Sequence, residues 1–183
     1  GIISSSYLGE ITSVEKTRFL LEKGANVNVK DNDDNNILHH LATNADKISV
    51  HDLGQLAAMC LNKIDMDVNS QNNKGHTAYH FAAYHSVPTL LVFLNRRNAD
   101  DNIMQQNADV NITDKEGNTP LHATIYGWID RQPTGLVNLL FRRCNSKLPL
   151  GAIGILFENK FLDYNKLNKE GKSAMDLVKQ NQN

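Results

Sequence analysis

The sequence predicts an all-α fold built from short helices that recur along the chain. Three observations carry this prediction. One stretch, Asp109 to Ile125, reads DVNITDKEGNTPLHATI and joins a turn directly to a complete helix start. Three further stretches align with it without a gap. The segments after them place apolar residues at helical rather than strand spacing.

In the central stretch, Asp114-Lys115-Glu116-Gly117 gives a polar tip and a Gly that takes positive φ without steric cost. Thr119 is a good N-cap, because its hydroxyl can accept from a backbone N–H that the helix leaves unpaired. Pro120 follows at the first helical position, where its missing N–H costs nothing. Leu121 turns inward, and the His122 imidazole can reach back to the cap hydroxyl.

The aligned copies are Val27 to Ala42 (VNVKDNDDNNILHHLA), Val68 to Ala82 (VNSQNNKGHTAYHFA) and Tyr164 to Val178 (YNKLNKEGKSAMDLV). Asn28, Asn69, Asn111 and Asn165 coincide, as do Asp31, Asn72, Asp114 and Asn168, and Leu38, Tyr79, Leu121 and Met175. The central copy carries the T-P-L-H-x-A signature, with Thr124 in place of the final Ala. The chain therefore resembles the ankyrin-repeat family over nearly its whole length. The resemblance implies a solenoid of helix pairs joined by β-turn or hairpin loops, working by binding proteins.

Residues 1–26 read as a partial N-terminal repeat. Thr12-x-x-Glu15 is a capping-box pattern, Val14, Phe19, Leu20 and Leu21 form an apolar stripe, and Gly24 is placed as a C-terminal cap. The array thus begins in mid-repeat: either its first helix is divergent or the chain is a piece cut from a longer protein, and we read the latter. The first full repeat is 27–67. Asp34 stands where the turn Gly is expected and Asn36-Ile37 where Thr-Pro is, but Asn36 caps well, so a helix through Leu38, Leu41 and Ala42 is expected. A second helix should run from Ser49 or Val50 to Leu61. The repeat at 68–109 has Thr77 as cap and Pro88 opening a helix through Leu90, Leu91, Phe93 and Leu94. In the repeat at 110–163, Thr134 after Pro133 caps a second helix over 134–145. An apolar segment, Leu148 to Phe161, then places Ile153, Leu156 and Phe157 at helical spacing. We read it as an extra helix beside the solenoid; the alternative makes 149–161 the second helix and 134–145 the insertion. The unit at 164–183 has an acidic capping box, Ser173-x-x-Asp176, and a polar end, as a terminal repeat needs.

The aligned positions stand 41 (27 to 68), 42 (68 to 110) and 54 (110 to 164) residues apart. Against a period of about 33, each full repeat carries an insertion of roughly 8, 9 and 21 residues. The second falls at 96–106, and the third includes 145–163.

Composition narrows the function classes. Nineteen basic and twenty acidic side chains give a net charge of −1, without the basic excess that phosphate binding needs. Two cysteines, Cys60 and Cys144, are too few for a disulfide framework and lack metal-ligand spacing, which fits a reducing compartment. No apolar run approaches a membrane span. His39, His80 and His122 occupy the motif position that ties a helix start, and no Cys, Asp or Glu joins them at ligand spacing. Catalytic, metal and cofactor residues are therefore not expected. Arg96-Arg97 and Arg142-Arg143 read as solvated helix ends.

What remains is a surface. In the family, the turn tips and the exposed start of the first helix form a concave strip that contacts partners. Carried over by position, its binding residues are Asn35, Lys74, His76, Tyr84, His85, Lys115, Glu116, Asn118 and Tyr126, with the lone Trp128 beside them. Tyr84 and Tyr126 stand at matching positions and make an aromatic centre in a polar rim, the composition of interface hot spots. Trp128 is assigned either to that centre or to packing against the third repeat's insertion. The sequence thus leads us to expect a monomeric, cytoplasmic module that binds a protein rather than nucleic acid. Its Asn-rich, irregular repeats are also similar to ankyrin proteins that intracellular bacteria deliver into host cells, which would put it in the host cytosol. The competing expectation is an enzyme or host-modifying effector with its chemistry in 145–163 or in a domain absent from this chain.

Overall fold

The computed structural model describes residues 14–63, 65–95, 108–131 and 150–181, and the structural statements below concern these. Among them the secondary structure is helical throughout, with eight α-helices, one short 3-10 turn at Ala45–Lys47 and no strand. The helices are α1 (Val14–Glu22), α2 (Ile37–Thr43), α3 (Val50–Leu61) and α4 (Ala78–Tyr84), then α5 (Pro88–Asn95), α6 (Pro120–Asp130), α7 (Leu150–Phe157) and α8 (Ala174–Gln180).

Local chemistry sets the starts. Asn36 caps α2, its Oδ1 accepting from the amides of Leu38 and His39 at 3.0 and 3.3 Å. Ser49 caps α3 through the Asp52 amide at 3.1 Å. Thr77 and Thr119 precede α4 and α6 in extended conformation, and Pro120 sits at the start of α6. Ser173 and Asp176 form the expected acidic box at α8. Thr12 lies outside the described residues, but α1 ends as expected before Gly24, whose amide bonds to the Leu21 carbonyl at 3.2 Å.

The helices pack in two rows. Helices α2, α4, α6 and α8 follow one another in the first row, and α1, α3, α5 and α7 in the second. The rows meet where α2 packs on α3, α4 on α5 and α6 on α7. Leu38, Leu41, Leu56, Leu90, Leu91 and Leu156 are completely buried there. Burying each contributes roughly 1.5–3 kcal/mol.

Leu150–Phe157, read from the sequence as an extra helix or alternatively as a second one, is a helix that lies against α5 and α6; the competing 134–145 segment lies outside the described residues. One expectation changes. Phe19 is 58% exposed although the sequence puts it in an apolar stripe; of that stripe α1 buries Leu21, together with Thr17. Met175, aligned with the buried Leu38, Tyr79 and Leu121, is 48% exposed on α8, which packs on α6 at the end of the first row.

Helices α4 and α6 approach closely, and Gly127 permits it. A Cβ at Gly127 would stand 2.0 Å from the Tyr84 carbonyl oxygen, a backbone atom that cannot swing aside. The same carbonyl accepts from the Arg131 guanidinium at 2.6 Å. Gly127→Ala should therefore destabilise the protein by about 1–3 kcal/mol, against the small gain that Ala gives in an unconstrained helix. Urea denaturation reads this directly, and an unchanged or raised midpoint would refute the close approach.

Candidate functional site: the turn ladder and its cleft

Each turn is held by the side chain of its first residue. Asp31 Oδ1 accepts from the amides of Asp33 and Asn35 at 2.9 and 2.8 Å. Asn72 Oδ1 takes Lys74 and His76 at 2.9 and 3.0 Å, and Asp114 Oδ1 takes Glu116 and Asn118 at 2.9 and 2.7 Å. Asn168 does the same with Glu170 and Lys172 at 3.0 and 3.1 Å. Asp and Asn suit this role because a short polar side chain can bond its own backbone two residues on. The position after the tip has positive φ in every turn, at Gly75, Gly117, Gly171 and also Asp34, where φ is 62°. Asp34 thus adopts the conformation of the Gly it replaces, and Asp is one of the few residues that tolerate it.

The turns are also joined to each other. The amides of Asn73, Lys115 and Lys169 donate to the carbonyls of Asp33, Lys74 and Glu116 at 2.9, 3.1 and 2.9 Å. Side chains repeat the link. Asn72 Nδ2 donates to Asn35 Oδ1 at 2.8 Å, Asn168 Nδ2 to Asn118 Oδ1 at 3.0 Å, and His76 Nε2 faces Asp114 Oδ2 at 3.3 Å. Asn35 and Asn118, assigned to partner contact by position, are therefore engaged in the ladder.

The motif histidines bridge one unit to the next. His39, His80 and His122 each take the N–H of their cap residue on Nδ1, at 3.1, 3.1 and 3.2 Å. Their Nε2 atoms stand 3.0 Å from the carbonyls of His76, Asn118 and Lys172 in the following turn. A carbonyl only accepts, so Nε2 carries the proton and the neutral ring is a donor at one end and an acceptor at the other. The sequence gives the first half of this bridge but not the second. Thr77 and Thr119 can also offer a hydroxyl proton to Nδ1; at Asn36 a bare amide oxygen stands 2.7 Å from it instead.

Beside the ladder, between α4 and α6, lies a cleft of about 360 Å³. Six predicted residues line it: His76, Tyr84, His85, Glu116, Asn118 and Tyr126. Tyr84 donates its hydroxyl to Asp130, and the Tyr126 hydroxyl lies 3.5 Å from Asn168 Nδ2. His85 is exposed and stacks on Phe81 with 6.4 Å between ring centroids. Lys74 and Lys115 are exposed on the turn tips and do not line the cleft. Trp128 is half-buried against the core and does not line it either. Phe81, His80, Asp114 and Ala123 complete the lining and are not among the predicted site residues. Phe81 and Ala123 both fall one residue past a motif His, and that shared register was the available signal.

Burial pushes the His39 and His80 imidazoles down to about 4, and lowers His122 in the same direction. Burial and Arg131 lower His85 as well. At Asp114 burial opposes the charge, but hydrogen bonds from His76 and Asn118 outweigh it and hold the carboxyl down at about 2. Burial pushes the Cys60 thiol up to about 12, so it stays protonated and unreactive. Among the described residues no cluster of three His, Cys, Asp or Glu could hold a metal ion. Cys144, Arg96, Arg97, Arg142 and Arg143 lie outside the described residues. The chain matches no protein-family model and no curated protein.

Two outcomes are expected. The folded state keeps His39 and His80 neutral, while the unfolded chain protonates them below the ordinary imidazole value of about 6.5. Between about 6.5 and 4 the unfolded chain binds more protons, so stability is complete above that range and is lost as pH falls through it, by up to about 3 kcal/mol per ring. Urea midpoints that stay level from pH 7 to pH 5 would contradict the neutral bridges. Secondly, Asp114→Asn keeps the shape but turns an acceptor of the Asn118 amide, at 3.1 Å, into a donor. It should cost about 1–3 kcal/mol, whereas Asp33→Asn on the exposed tip should cost less than about 0.5 kcal/mol. Equal effects of the two substitutions in thermal melts would reject the clasp.

Proposed function

We propose that this chain is a non-catalytic, ankyrin-type repeat module that binds a partner protein through its turn tips and the α4–α6 cleft. The observation that carries the reading is the convergence of Tyr84, Tyr126, His76, His85 and Glu116 on one apolar cleft. Four further features support it. The turns share one clasp, successive turns bond in one register, the helices form two rows, and the histidine bridges repeat at each junction. A surface supported in this way is rigid, so little ordering entropy opposes association.

The chemistry suits a protein partner. Tyr combines a large apolar face with a polar tip and loses little rotamer freedom on burial. An interface of roughly 800 Å² per partner would extend beyond the cleft along two or three turns, taking in Lys74 and Lys115 on the rim. The near-balanced charge gives nucleic acid little hold. No helix among the described residues is long and apolar enough to cross a membrane.

The test is affinity capture with wild type and a Tyr84→Ala, Tyr126→Ala double variant, with circular dichroism to confirm that both are folded. The variant should weaken partner binding by about 30-fold or more, as expected for hot-spot truncations of about 2 kcal/mol or above. Capture of the same partner with equal strength by both proteins would move the binding surface elsewhere.

A further inference from the structure

The cleft has three features that converge on one kind of occupant. Its walls are aromatic, and the two tyrosines are tethered before anything binds, Tyr84 to Asp130 and Tyr126 beside Asn168. Its floor holds a fixed negative charge. The Asp114 carboxylate is satisfied by two amides, the Asn118 side chain and His76, groups that fill its lone pairs without cancelling its charge when the imidazole is neutral. At the rim, the Glu116 side chain is exposed, and its carboxylate has no ion-pair partner among the described residues. Two of the nearby cations are engaged elsewhere, while Lys74 and Lys115 stand exposed on the turn tips and do not line the cleft. Lys172 pairs with Glu170 at 2.8 Å, and the Arg131 guanidinium sits on the Tyr84 carbonyl and the Ser86 hydroxyl.

We propose that the cleft takes one basic side chain, Lys or Arg, presented by the partner protein. The aliphatic stem lies along Ala123 and the tyrosine rings, and the cationic head sits at the Glu116 carboxylate, above the buried Asp114 charge. This arrangement uses both halves of the side chain, since a long basic residue buries its methylenes while its head keeps polar company. The ring faces attract the cation directly. A neutral side chain of the same length would gain the apolar contact but not the attraction of the exposed Glu116 carboxylate and, at longer range, of the buried Asp114 charge. The inference rests on the reading of this cleft as the partner-binding site, and it adds what that site selects.

The experiment is an NMR titration with N-acetyl-arginine amide and N-acetyl-lysine amide, each against its neutral counterpart, N-acetyl-citrulline amide and N-acetyl-norleucine amide. It is run at low salt and about pH 8, well above the ordinary imidazole value. The cationic probes should give saturable shifts at the amides of Tyr84, Ala123 and Tyr126, and the neutral ones should bind at least about fivefold more weakly. Glu116→Gln should weaken the cationic probes by about two- to fivefold and leave the neutral ones unchanged. Because Glu116 is exposed, an unchanged spectrum away from the cleft confirms that this variant is folded. Equal binding of charged and neutral probes overturns the proposal. So does the absence of saturable shifts at the cleft with probe at about 50 mM. Either result leaves the protein-binding reading standing, because that reading fails only when the double tyrosine variant captures the same partner as wild type.

Discussion

Much of this structure depends on one oxygen per turn, the Oδ1 of Asp31, Asn72, Asp114 or Asn168. By accepting two amides it closes the turn and presents the carbonyl of the fourth following residue. That carbonyl already takes the amide of the residue that opens its own turn, as at His76 and Asn118, at 2.9 Å in both cases. It then also receives the Nε2–H of the preceding unit's histidine. Helix start, turn and neighbouring unit therefore meet at one acceptor. A carbonyl has two lone pairs, so the arrangement is saturated and leaves no buried donor without a partner there.

The choice between Asp and Asn at that position follows from its neighbours. Asp31 and Asp114 are each followed four residues on by Asn, whose amide needs a second acceptor, and the carboxylate supplies it at 3.1 Å in both turns. Asn72 and Asn168 instead hold a donor, which reaches back to Asn35 and Asn118 in the preceding turn. The alternation is a donor–acceptor code written across neighbouring turns. In a half-buried setting such a mismatch costs more than either bond contributes.

Local chemistry made part of this legible. Helix starts at Asn36, Ser49, Thr77, Thr119 and Ser173 depend on a few adjacent residues, and the sequence places them correctly. The all-helical character follows from the same signals. The cross-turn bonds were not legible, because they join residues about forty to fifty positions apart and each member looks like an ordinary polar turn residue. Phe19 was misread for a related reason: helical spacing tells which residues share a face, and says nothing of whether another helix covers it. The segments 134–145 and 149–161 are both apolar enough to be a second helix, and sequence alone does not choose between them; Leu150–Phe157 packs on α5. In the cleft, Tyr84 and Tyr126 were legible by position, while Phe81 and Ala123 depend on how closely α4 and α6 approach at Gly127.

The histidine bridges all point the same way, each ring donating to the unit that follows it. The turn amides of Asn73, Lys115 and Lys169 and the side chains of Asn72 and Asn168 donate the other way, into the unit before them. Each junction between turns is therefore stitched by donors from both sides, and parting two units orphans N–H groups on each of them. Fraying that enters from either end begins by breaking the same two-way set of bonds, and a force pulling on the two ends would meet the same kind of seam from both directions.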